Sequence, residues 1–312
     1  MTVRSIPLAK RNQPQREKRM TRRPSKLRLA LLASTALIAA AIATSPEDAL
    51  AACSTSVDNS VNLFGNTVNI TSGTTRHNFG AGTINLNGNY SVSGNCVLSV
   101  RNITAISTYN VNGNVATDFG EGIVIEGSLG YSVNVNGMLT VAPGGVAIQG
   151  GGGSEFFSVN DNGVVNGSIN GGGGIDTLTM NGLSTINGNV SSIELGFING
   201  DATINGTGAS SILATTILDD SSLTITGAGH NFTTATLLTF LGDGTFKVDG
   251  GATATIGAFL ANNDEQSLIV SEGTLNLTVG GTLLGGNDLV EIGGNGSPTA
   301  TLNAGVGIDF GN

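Results

Sequence analysis

Few residues in this chain are equipped for chemistry. His77 and His230 are the only histidines. No GxSxG elbow accompanies them, so a serine nucleophile has no strained turn to occupy. Neither CxxC nor HExxH occurs, which removes the common zinc spacings, and no GxxxxGK[ST] loop turns the glycines into a phosphate cradle. His230 stands in the turn-like phrase GAGHNF, and both histidines are expected to be solvated. Carboxylates are the remaining reagents. Asp219-Asp220 and Asp264-Glu265 are adjacent pairs. Glycoside hydrolysis needs two carboxyl groups at a set separation, yet neighbours on a strand point to opposite faces. Sugar clefts also use aromatic platforms and cations. The chain has no Trp and three Tyr, and only Arg76, Arg101 and Lys247 follow residue 51. The expectation is a non-enzyme with no catalytic residue and no cofactor. A carbohydrate-active β-helix enzyme, lyase or glycosidase, is the alternative.

One glycine run carries a sharper pattern. Gly171-Gly172-Gly173-Gly174-Ile175-Asp176-Thr177-Leu178-Thr179 resembles the GGxGxDxUx nonapeptide of calcium-binding RTX β-rolls. That resemblance makes Asp176 a calcium candidate. In such rolls successive turns share each ion, and the next nine residues, MNGLSTING, do not repeat the pattern. Gly305-Val306-Gly307-Ile308-Asp309 and Gly286-Asn287-Asp288 are only fragments of it. An oxygen-lined calcium site takes about six or more ligands. The favoured reading is a corner at which Asp176 caps exposed amides. A calcium-stabilised RTX-like roll is the second alternative.

The two cysteines bear on compartment. Residues 1–51 read as a signal peptide, with a long basic n-region and an uncharged h-region at 29–44, LALLASTALIAAAIAT. Ala49-Leu50-Ala51 is an A-x-A site, so cleavage is expected after Ala51. Met20 offers a second start, because MTRRPSKLRLALL is already complete as a leader. Arg22-Arg23 invites a twin-arginine reading, but Ser25 and Lys26 replace the expected apolar residues. Leu50-Ala51-Ala52-Cys53 resembles a lipoprotein box, although Ser45-Pro46-Glu47-Asp48 separates it from the h-region. The expected use of Cys53 is a disulfide with Cys96, formed in an oxidising compartment.

The elements that must position these groups are short. From 52 to 312 apolar residues alternate with Thr, Ser and Asn in bursts such as TVNIT, TINLNG and YSVNVNG. Period-2 alternation bounded by Gly and Asn reads as strands. Asn-Gly phrases at Gly88, Gly113, Gly137, Gly163 and Gly188 recur at intervals of 25, 24, 26 and 25 residues. Gly206, Gly227, Gly250, Gly273 and Gly296 continue at 21, 23, 23 and 23. A repeat of that length holding several strands fits one coil of a parallel β-helix. About ten coils are expected over 52–312, as a rod on the order of 50 Å long. Asn-Gly is also a hairpin signal, so an antiparallel meander is the rival. The interval spans a whole coil rather than a strand pair, which favours the all-β solenoid. Phe156-Phe157 is expected to fill its core.

Charge narrows the partners. Residues 1–51 carry ten Lys/Arg against Glu17, Glu47 and Asp48; the remainder sets three basic residues against nineteen acids. So acidic a body repels phosphate backbones, which excludes nucleic acid.

The basic leader, the Asn-Gly phrases and GGGGIDTLTMNG together resemble the passenger region of bacterial autotransporters. That resemblance implies surface display or secretion, a structural or adhesive role, and an outer-membrane translocator in cis or trans. Surface glycans or proteins of a host or the environment would be the partners. The resemblance departs at the end, where the sequence up to Asn312 stays coil-like and no β-barrel is read.

Overall fold

The chain is all-β. The computed structural model describes residues 53, 57–101, 106–257, 259–260 and 267–277, with strand segments at 282–283, 289–292, 299–302 and 307–308. The leader, its cleavage site after Ala51, Asp264-Glu265, Asp288 and Asp309 lie outside the described residues.

Among the described residues every strand pair runs parallel, and strands within a sheet bond to the strand one coil before and the strand one coil after. The coils stack as a β-solenoid of about 9 turns. Three sheets form its sides. One has seven strands, from Asn59–Asn62 to Val190–Ser191. A second has thirteen, starting at Thr67–Ile70, and a third has ten, starting at Tyr90–Val92. The antiparallel meander is thereby set aside. Local Asn-Gly chemistry favours hairpins, but a hairpin would split each coil's apolar column, whereas parallel stacking keeps it whole.

Alternation decides which side chains enter. Within Ser132–Val135, Val133 and Val135 are buried and the polar residues between them face outward. Register then builds continuous columns. Leu86, Val111, Val135, Val159, Met180 and Ile198 sit in line on successive coils. Leu139, Val165, Ile186, Ile204 and Ile225 form another from the opposite side. All are buried in one core. At about 1.5–3 kcal/mol per buried aliphatic side chain, these columns supply the main stabilising term.

Coil length is not constant. Stacked asparagines are 25, 24, 24, 21 and 18 residues apart from Asn87 to Asn199. The glycine register follows the early coils: Gly113 packs on the Gly88 carbonyl and Gly137 on the Gly113 carbonyl. It slips afterwards, because Gly188 packs on Gly167 rather than Gly163. The seven-stranded sheet ends at Val190–Ser191. Ser210, at the start of the 10-residue strand Ala209–Leu218, accepts the Val190 amide, and Ala214 farther along pairs with Leu195. One bent strand thus covers what two had covered.

Cys53 and Cys96 are joined by a disulfide, with Cα atoms 5.6 Å apart and a sequence separation of 43. Val124 and Phe119 pack against it.

Candidate functional site

Neither histidine is solvated; both are fully buried. His230 Nε2 faces Ser210 Oγ at 2.8 Å, and its Nδ1 faces the Thr226 carbonyl oxygen at 2.9 Å and the Gly206 amide at 3.2 Å. His77 Nδ1 faces the Tyr109 hydroxyl at 2.9 Å. Burial pushes both imidazoles below their ordinary pKa, so each is neutral at pH 7. The Ser210–His230 pair lies inside the coil, closed to substrate, so it is a core hydrogen bond. GAGHNF looked like a solvated turn because the turn residues are polar; the ring itself is folded inward.

The doublet Phe156-Phe157 divides by strand alternation. Phe157 fills the core, while Phe156 is 57% exposed beside a row of Thr and Ser. Asp219 and Asp220 sit together at a corner and meet Asp243 from the next coil, with carboxylate oxygens within 4.8 Å of one another. All three are exposed, and Asp219 accepts the Asp243 amide at 2.9 Å.

Asp176 is in a different environment. The four glycines before it form a corner that stacks directly on Gly150-Gly151-Gly152-Gly153 of the preceding coil. A Cβ at Gly172 would lie 2.1 Å from the Gly151 carbonyl oxygen, so no larger residue fits. After each run the chain enters the same strand position: Phe156 pairs with Thr177, and Thr177 with Leu195. The residues just before those three are Glu155, Asp176 and Glu194. Since Phe157 and Leu178 point inward, so do Glu155 and Asp176, and neither is exposed at all. Tyr131 occupies the equivalent place one coil earlier and is also buried.

An acidic column therefore runs along the inside of one corner. Its members cap one another: Asp176 Oδ1 accepts the Glu155 amide at 2.7 Å, and Glu194 Oε2 accepts the Asp176 amide at 2.7 Å. The amide-capping role expected of Asp176 is present, but it runs between coils inside the fold. Both oxygens of Glu155 and Oδ2 of Asp176 are buried and make no hydrogen bond of good geometry, although the Gly151 amide and the neighbouring carboxyl group lie close enough to influence Glu155. Burial pushes Asp176 up to about 9 and Glu155 up to about 7, and the mutual repulsion of the two carboxylates adds to the rise at Asp176. Burial also raises Glu194, and raises Tyr131 with help from the Glu155 charge.

Comparison with known protein families, with curated proteins and with solved structures finds no match for this chain.

Sequence patterning does not single out Glu155 and Glu194 as partners of Asp176. The signal is present all the same: GGGGSE at 150–155 and GGGGID at 171–176 are the same phrase one coil apart, and SSIE at 191–194 keeps the acid. A glycine register of 25 residues hides it, because this coil has 21.

The outward face of the second sheet is largely polar, interrupted by Phe156. Asn87, Asn112, Asn136, Asn160, Asn181 and Asn199 form a ladder in which each amide donates to the residue one coil below, at 2.6–3.3 Å. Asn85, Asn110 and Asn134 form a second ladder beside it. A shallow depression of about 300 Å³ opens near Asp58, Thr74, Ser93 and Asn95. Asp118, which bonds Ser93, is held below the usual carboxylate range by that hydroxyl and by the Gly94 amide.

Proposed function

We propose that this chain is an exported β-solenoid, displayed on the cell surface or secreted, with a structural or adhesive role of the autotransporter-passenger kind. The observation that carries this is the ladder face. Six stacked asparagines and their Thr and Ser neighbours make a long, uncharged surface. Such a face suits many weak contacts spread along a rod, where avidity rather than one deep pocket sets the strength. Glycans or proteins of a host or environmental surface are the partners this chemistry favours. An outer-membrane translocator, in the same chain or a separate one, would deliver it.

The reading includes no catalytic role. A glycosidase needs a carboxyl group held protonated beside the substrate. The raised acids, Glu155 and Asp176, are sealed in the core, and Asp118 near the surface depression is shifted the other way. A lyase or glycosidase remains the alternative from another class, to be tested by assay on polysaccharides.

Export is tested in the native bacterium. The mature N-terminus should begin at Ala52, and protease added to intact cells should remove the chain. A full-length, protease-resistant cytoplasmic product would overturn the reading.

A further inference from the structure

We propose that Glu155 and Asp176 hold a divalent cation, calcium by its chemistry, between two adjacent coils at the glycine-rich corner.

Three oxygens argue for it. Glu155 Oε1 and Oε2 and Asp176 Oδ2 are fully buried and make no hydrogen bond of good geometry, with the Gly151 amide beside Glu155 and the two carboxyl groups against each other. A buried charge is stable only when paired, protonated or bound to metal. No Lys, Arg or His is paired with either acid, since the salt bridges among the described residues are Arg101–Glu126 and Lys247–Asp249. Glu194, one coil on, is half-buried and spends Oε2 on the Asp176 amide, so the site is the Glu155–Asp176 pair alone.

The glycine backbone lies directly against these oxygens. A Cβ at Gly171 would lie 2.6 Å from Asp176 Oδ2, and one at Gly150 would lie 3.2 Å from Glu155 Oε2. Glycine at these two stacked positions keeps the orphaned oxygens clear of side chains. The donors are all hard oxygens, and main-chain carbonyls of the glycine runs or water would complete the shell. Calcium tolerates irregular geometry of that kind, whereas magnesium demands a near-octahedral shell with most of its water retained. This differs from the RTX pattern, because both acids point into the core and one of them is a glutamate outside the nonapeptide.

The competing resolution is a proton shared between the two carboxyl groups. Terbium and calcium separate the two. Tyr131 is stacked one coil before Glu155, so terbium bound there should show tyrosine-sensitised emission. The full chain is refolded in terbium, then titrated with calcium. Emission that calcium displaces, and that falls at least fivefold in Tyr131→Phe and in Glu155→Gln, supports the site. Calcium should also raise the melting temperature of the wild type by several degrees and leave Asp176→Asn unmoved. Emission lost instead in the Asp219→Asn, Asp220→Asn, Asp243→Asn triple variant, or no calcium response in a folded wild type, overturns the proposal. Should Asp176→Asn not fold, the Tyr131→Phe comparison decides alone.

Discussion

Oδ1 of Asp176 takes the Glu155 amide proton at 2.7 Å, while its Oδ2 meets no donor in the same buried corner. One carboxyl group is thus half satisfied.

Stability should fall as pH rises when divalent cations are chelated. Asp176 is raised from 3.8 to about 9 and Glu155 from 4.5 to about 7. A folded-state pKa above the unfolded one means the unfolded chain loses its proton first. The stabilising contribution is therefore complete below about pH 4 and is lost progressively up to about pH 9. His77 and His230 act oppositely, since their lowered values remove stability as pH falls below 6.5. Urea midpoints in EDTA should decline between about pH 7 and pH 9, where only the acids contribute. Asp176→Asn should flatten that decline; an unchanged slope would contradict the assignment.

The ladder and the core should differ in cost. Asn112 donates to Asn87 and accepts from Asn136, but it is exposed. Asn112→Ala should destabilise by about 1 kcal/mol. Leu139, fully buried between Val115 and Val165, should cost about 2–5 kcal/mol on replacement by Ala. Equilibrium unfolding of the two variants checks the order.

Three glycines should respond to alanine in a graded way. Gly120 has open space and an ordinary backbone, so the change should be nearly silent. Gly144 has open space but φ of +79°, costing about 1–2 kcal/mol. At Gly171 a Cβ would sit 1.9 Å from the Ser192 carbonyl oxygen, which requires two coils to separate. Its melting temperature should drop the most of the three.

His230→Leu tests whether this ring is a core hydrogen-bonding group. The substitution preserves bulk but removes the ring's bonds to Ser210 Oγ and to the Thr226 carbonyl, which keep only the Val190 and Gly206 amides as partners. Losing a hydrogen bond whose partner keeps another costs about 0.5–1.5 kcal/mol. A variant as stable as the wild type would show that water reaches this pair.

The class of fold was legible because alternation and repeat length act locally and add up over many coils. TVNI and TINL read as strands and are strands in register. The parallel stack followed from an interval that spans a whole coil. Coil-by-coil register was not legible, since glycine is frequent enough to align at the wrong corner, as Gly188 did with Gly163. Asp176 was picked out from its glycines, but the direction of its side chain depends on strand parity with Leu178. That parity also turns Glu155 inward, a fact invisible until Phe156 is placed outside. The histidines misled because polar flanks indicate a turn and say nothing of where the ring goes.

Cys53 and Cys96 close a loop of 43 residues around the start of the stack. Under tension, each coil can peel away only after its neighbour, because contacts are between adjacent coils. Chain inside the covalent loop cannot pay out at all. At about 3.5 Å per residue, the pulled protein would come up some 150 Å short of its full contour length until a reductant cut the bond. The first coils are therefore riveted, and extension under load must come from the coils beyond Cys96.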